Sequence, residues 1–156
     1  HTFDKPAATV MTMFSDRDYF ERKYKALGFT DIHVLEHDKS GDKFRIKVRY
    51  TATNDVALPE FAKKFIPSAM VVTQQDAWDL KRMTGRIDVE IRGTPVKVAC
   101  DMSLKNEAKG SANYLKWTVT CGIPLVGGKL EQLTADDIKA KAGNDVATTR
   151  RILADY

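Results

Sequence analysis

Cysteine is scarce: Cys100 and Cys121 are the only two in 156 residues. They form no CxxC and have no histidine close by in sequence, which excludes a disulfide scaffold and an ordinary zinc site. Both lie in strand-like segments, where a thiol serves as a small apolar residue. A hairpin turn near residue 108 sets them on adjacent strands but out of register, so they are expected unbonded, as in the cytoplasm. Glycine and proline are also few, 9 and 5, too few for a low-complexity chain. Long apolar runs are missing. Ala69-Met70-Val71-Val72 is only four long, against the roughly 18 residues that a spanning helix needs. No polybasic run occurs either. Lys and Arg number 25 against 21 Asp and Glu, a net charge of +4 that is dispersed along the chain. Arg45, Lys47 and Arg49 alternate with apolar residues, as on the wet face of a half-buried strand. That patterning argues against nucleic acid as a partner.

Hydrophobic residues make up 43% of the chain, enough to bury a core without metal or disulfide. The length suits one domain, expected to span residues 1–156. The chain starts at His1 without a methionine or a signal-like apolar stretch, so a preceding segment or a removed tag is expected.

Hydrophobic periodicity supplies the elements. Residues 1–5 suit the end of a strand. Two short helices follow, about 6–14 and 16–27, with Ser15 as the expected N-cap of the second and Gly28 as its stop. Ile32 to Lys39 reads as a strand. Phe44, Ile46, Val48 and Tyr50 then alternate with polar partners in a strand of period two. A short helix is expected over 59–65. Strands follow at 69–80, from Gly85 to Ile91, from Val96 to Leu104, and from Leu115 to Ile123. From Val126 the period becomes helical: Leu130, Leu133, Ile138, Ala142, Val146, Thr149 and Leu153 share one stripe. About 30 residues give a helix of roughly 45 Å. Gly143 is a candidate bend, and Thr134 with Asp137 a candidate restart. Long strands joined by tight turns make an antiparallel meander, and its apolar face needs a cover. Only the last helix is long enough, so a curved sheet wrapped around it encloses a space.

Three stretches carry a family resemblance. They are Pro6-Ala7-x-x-Val10 with Phe14-Ser15-Asp16 and Tyr19, Leu58-Pro59-x-Phe61-Ala62 through Pro67, and Ile123-Pro124-Leu125-Val126-Gly127-Gly128-Lys129-Leu130-Glu131. With the element order, they resemble the START and birch-pollen-allergen-like superfamily, and within it domain-of-unknown-function family 2505. The resemblance spans nearly the whole chain. It implies an α+β helix-grip fold: a curved antiparallel sheet around a long C-terminal helix, with two short helices near the N-terminus. It also implies an apolar cavity for lipids, polyketides, hormones or quinones. The family offers no catalytic residues to transfer.

No catalytic constellation emerges from the residues. Gly122-x-x-x-x-Gly127 has the glycine spacing of a phosphate loop, but Gly128 stands where the lysine belongs and Leu130 replaces the hydroxyl. His33 and His37, four apart on a strand, are expected on one side and at the surface. No GxSxG elbow occurs. No cofactor and no metal are expected.

What remains is an apolar face. The expected cavity lining is Phe44, Ile46, Val48, Tyr50, Trp78, Val98, Cys100, Met102, Trp117 and Val119 from the sheet, with Leu133, Ile138, Ala142 and Val146 from the last helix. Phe44, Ile46, Val48, Val98, Cys100, Met102, Leu115, Trp117 and Val119 are expected to face that helix. The mouth is expected near the short helix 59–65. If Trp78 points inward, Gln74 and Asp76 do too, and a polar group in an apolar pocket orients a ligand or acts as an acid of raised pKa. The leading reading is therefore binding of an apolar small molecule or lipid. The alternatives are a cyclase or dehydratase acting on a polyketide or aromatic substrate, and an interaction protein with a filled core.

Overall fold

The computed structural model describes residues 1–53 and 57–156. Strand β1 (Thr2–Phe3) leads into helices α1 (Ala7–Phe14) and α2 (Arg17–Ala26). Strands β2 (Thr30–Ser40) and β3 (Lys43–Thr53), helix α3 (Glu60–Lys63), and strands β4 (Ala69–Asp79), β5 (Thr84–Ile91), β6 (Val96–Glu107) and β7 (Gly110–Cys121) follow. Helix α4 (Gly127–Leu153) is last.

The described strands form one antiparallel sheet in the order β1-β7-β6-β5-β4-β3-β2. It is a meander whose first strand has been carried to the far edge. β1 pairs through Thr2 with Ala112 and through Phe3 with Ser111, and α1 and α2 then take the chain across to β2.

Register follows from the period-two pattern, because a one-residue slip would turn every apolar side chain outward. One row across the inner face reads Ile46, Asp76, Ile87, Cys100 and Trp117. The next reads Val48, Gln74, Val89, Val98 and Val119. The opposite face is polar, as expected of Arg45, Lys47 and Arg49. Arg86 there bonds Asp88 and Asp101, both at 3.1 Å.

Several local expectations change. Asp16, not Ser15, caps α2: its Oδ1 accepts from the Asp18 N–H at 3.0 Å. Ser15 instead closes α1, its hydroxyl donating to the Met11 carbonyl at 2.8 Å. α4 is one uninterrupted helix. Thr134 donates back to the Leu130 carbonyl and Asp137 bonds Lys141, so neither starts a new helix. His33 and His37 fall on opposite faces. A register shift between Val34 and Glu36 inserts one extra residue, which breaks the alternation. His33 then pairs with Arg49, and His37 with the inward-facing Ile46.

The cover of the inner face also differs from expectation. α4 is not its sole lid; it contacts chiefly β7 and α2. Phe44 stacks on Phe20 of α2 at 6.0 Å, and Tyr50 lies 4.7 Å from the Tyr24 ring. Phe14 of α1 stacks on Trp78 at 5.5 Å. The two short helices thus close the β3–β4 side with aromatic rings. Phe44, Ile46 and Val48 are fully buried in that core.

A second apolar cluster gathers Ala62 of α3, Val96, Val98 and Leu130, with Phe61, Val119, Leu133 and Ile138 packed on it. It anchors the start of α4. Gly127 begins that helix hard against β7: a Cβ there would lie 2.6 Å from the Cys121 carbonyl oxygen. Gly127 is required by this approach while Gly128 faces open space, and no phosphate function is needed to account for the glycine spacing. Cys100 and Cys121 are free. They pair with Trp117 and Val96 respectively, so they sit on neighbouring strands out of register. Among the described residues no helix is long and apolar enough to cross a membrane.

Candidate functional site

Between the inner face of the sheet and the helices α2 and α4 lies a cavity of about 560 Å³. From the expected lining, Tyr50, Trp78, Val98, Met102, Trp117, Ile138 and Ala142 border it. Phe44, Ile46, Val48, Cys100, Val119, Leu133 and Val146 do not. The first three are sealed beneath the aromatic rings of the core. Cys100 is fully buried in the same core, and Val146 packs against it. Val119 and Leu133 belong to the cluster around α3. No residue of α3 borders the cavity either, so the mouth is not formed by that helix. The exposed lining residues are Thr53, Trp117, Lys141 and Asn144.

Trp117 is 40% exposed, at the margin between two spaces. Together with Ile138 it also borders an outer groove of about 330 Å³ between β7 and α4. These two side chains form the partition between groove and cavity. Trp78 lies flat over Gly85, where a Cβ would meet the indole at 2.7 Å. A glycine in mid-strand usually weakens a sheet, and here it makes room for the ring.

Polar groups converge in the middle of the cavity. Asp76 stands in the row between Ile46 and Ile87 and is 7% exposed. Tyr50 donates to Gln74 Oε1 at 3.1 Å, and Gln74 Nε2 donates to Asp76 Oδ1 at 2.9 Å. From α2, Lys23 reaches Asp145 of α4 at 3.1 Å, and its ammonium sits 5.6 Å from the centre of the Tyr19 ring. The Tyr19 and Thr149 hydroxyls share a 3.3 Å hydrogen bond. All eight residues, counting Tyr24, border the cavity.

Burial sets the protonation states. It pushes the Asp76 carboxyl up to about 6, against the lowering influence of Gln74 and Lys23. Burial would lower the Lys23 ammonium, but Tyr19 and Asp145 outweigh it and raise its pKa. Tyr19, Tyr24 and Tyr50 are all raised, foremost by burial, and stay neutral. The Cys100 thiol is raised to about 11, again by burial, which makes it a poor nucleophile. Among the described residues no group of three His, Cys, Asp or Glu side chains is placed to hold a metal.

The α2 wall of the site was not anticipated. Tyr19, Phe20, Lys23 and Tyr24 form a helical stripe, which suggests ordinary packing. The signal was the lysine itself, a charge in the middle of an otherwise aromatic stripe.

A sheet that grips a long C-terminal helix, with two short helices closing one side over a cavity, is a helix-grip fold. The chain belongs to the family described as "Protein of unknown function (DUF2505)", whose profile matches residues 1–153. Two solved structures share the fold. One is TTHA0849 from Thermus thermophilus, at 16% identity and TM-score 0.66, covering 99% of this chain and 93% of that one. The other is Ara h 8.0201, at 15% identity and TM-score 0.65, covering 100% of this chain and 95% of that one. No curated protein matches the sequence.

Proposed function

We propose that residues 1–156 act as one START-like binding domain that holds an apolar small molecule or lipid between the sheet and helices α2 and α4. The observation that carries this reading is the cavity, about 560 Å³ and walled largely by aromatic and aliphatic side chains. Ligand sites commonly span about 300–1,000 Å³ with a few placed polar groups, and this cavity has both properties. An interaction protein would have no need to keep such a volume open, since an unfilled core costs stability. The superfamily's habit of enclosing apolar ligands agrees with the reading. Two free thiols agree with a reducing compartment such as the cytoplasm.

The test is a fluorescence titration with N-phenyl-1-naphthylamine, which brightens in apolar sites. The wild-type chain should bind it. Ala142→Trp fills the cavity from α4 and should abolish binding while the thermal midpoint stays close to wild type. A wild type that leaves the probe dark would sink the proposal.

Asp76 supports a second reading. A buried carboxyl with a pKa of about 6, held by Gln74 beside two tyrosines, has the properties of a general acid or base near neutral pH. A cyclase or dehydratase on a polyketide-like or aromatic substrate would use it. That reading requires bound polyketide to be converted, seen by mass spectrometry as loss of water, and the conversion to vanish in Asp76→Asn.

A further inference from the structure

The binding reading leaves the chemistry of the ligand open, and the polar centre of the cavity narrows it. Asp76 Oδ1 is engaged by Gln74, but no described residue donates to Oδ2. No cation lies within ion-pair distance of the carboxylate among the described residues; Lys23, the nearest positive influence on it, is bonded to Asp145. Asp76, Lys23 and Asp145 together carry one net negative charge.

A position flanked by Ile46 and Ile87 in a central strand is one where valine or isoleucine would serve the fold better. A carboxylate kept there with one oxygen free and no cation beside it marks a site that awaits one. Aromatic side chains border the same space, Tyr19, Tyr24, Tyr50 and Trp78 among them, and supply an apolar wall around it. A second acceptor stands open at the β7 end of the same cavity. Asn113 is 5% exposed and borders the cavity there. Its Nδ2 donates to Met102 Sδ at 3.8 Å, while its Oδ1 is the single buried side-chain polar atom without a partner among the described residues.

We infer that the ligand is an amphiphilic amine, an apolar body bearing a protonated nitrogen that donates to Asp76 Oδ2 among the aromatic rings. This inference rests on the binding function proposed above. It makes Asp76 the determinant of ligand class and leaves the apolar wall to supply general affinity.

The experiment is competition by decylamine, decanol and decanoate against N-phenyl-1-naphthylamine at pH 7.5, where the three differ mainly in head-group charge. Decylamine should compete at least about tenfold better than decanol, and decanoate worst. In Asp76→Asn, which keeps the size of the side chain, the preference of decylamine over decanol should shrink to about threefold or less. Asp145→Asn should shrink it as well, because Lys23 is then released to neutralise Asp76. The two variants make the test independent of any single folding failure. Equal competition by decylamine and decanol in the wild type overturns the inference, as does a preference for decanoate directed by Lys23. So does an amine preference that survives both substitutions. In each of those cases the probe still binds, so the proposed binding function stands. Failure of the probe itself removes the binding function first.

Discussion

Asp76 places a measurable burden on the fold. Its carboxyl titrates at about 6 in the folded protein and at 3.8 in an unperturbed chain. Between these values the native state holds a proton that the unfolded state has lost, so stability falls as pH rises through that window. Above it the whole penalty is present, a little over two pKa units and so roughly 3 kcal/mol at about 1.36 kcal/mol each. The groups that face Asp76 or act on it across the cavity are Lys23 and Tyr24 of α2, Tyr50 of β3, Cys100 of β6 and Asp145 of α4. We expect Asp76→Asn to be more stable than wild type at pH 7 by on the order of 1–3 kcal/mol. The difference should shrink to well under half of that by about pH 4, where the carboxyl is protonated in the native state and begins to take up protons in the unfolded one. Urea melts at pH 4, 5, 6 and 7 measure this, and parallel curves for the two proteins would count against the raised pKa. Asp79 does not confuse the result. Hydrogen bonds from Lys43 and from the Arg82 backbone lower it to about 2, so it acts in the more acidic range.

Helix α4 serves three neighbourhoods along its 27 residues. Its first turns pack through the fully buried Leu130 into the cluster with α3, and its middle borders the cavity with Ile138, Ala142 and Asp145. Its final turn returns to the main core through Ile152 and Leu153. Anchoring at both ends lets the middle stand off the sheet. Leu130→Ala should therefore cost about 2–5 kcal/mol, as removal of a buried leucine usually does. It should also loosen the α4–β7 contact near the outer groove. Hydrogen exchange of the Cys121 and Leu130 amides, compared with wild type, checks the second effect. Unchanged protection there would show that the helix start is held by something other than this side chain.

For the molecule as a whole, binding and stability are linked. A ligand that occupies the cavity only in the folded state stabilises it by about 2.7 kcal/mol at a hundred times its dissociation constant. Decylamine at saturating concentration should raise the thermal midpoint of the wild type, and the rise should be smaller in Asp76→Asn. A midpoint that does not respond to decylamine would mean that the amine binds outside the folded cavity or not at all.

The sheet was legible in the sequence because period two leaves no freedom: once Phe44, Ile46 and Val48 turn inward, Arg45 and Lys47 turn out. The long last helix was legible for the same kind of reason, and alternation tied Gln74 and Asp76 to whichever side Trp78 takes. The break in β2 was not, since a bulge leaves the composition of a strand intact while exchanging the faces of His33 and His37. The division of labour around the cavity was not legible either. Alternation specifies which side chains face inward but not which helix meets them. Phe44, Ile46 and Val48 were expected to border the cavity, yet α2 and α1 bring enough rings over β3 and β4 to bury them instead. Lys23, Asp145 and Asp76 lie far apart along the chain, and only the docking of α2 against α4 over the sheet brings them to one polar centre. Local periodicity thus determined the elements and their faces, which depend on neighbours a few residues away. The shape and charge of the cavity depend on contacts between distant segments, and tertiary packing decided them.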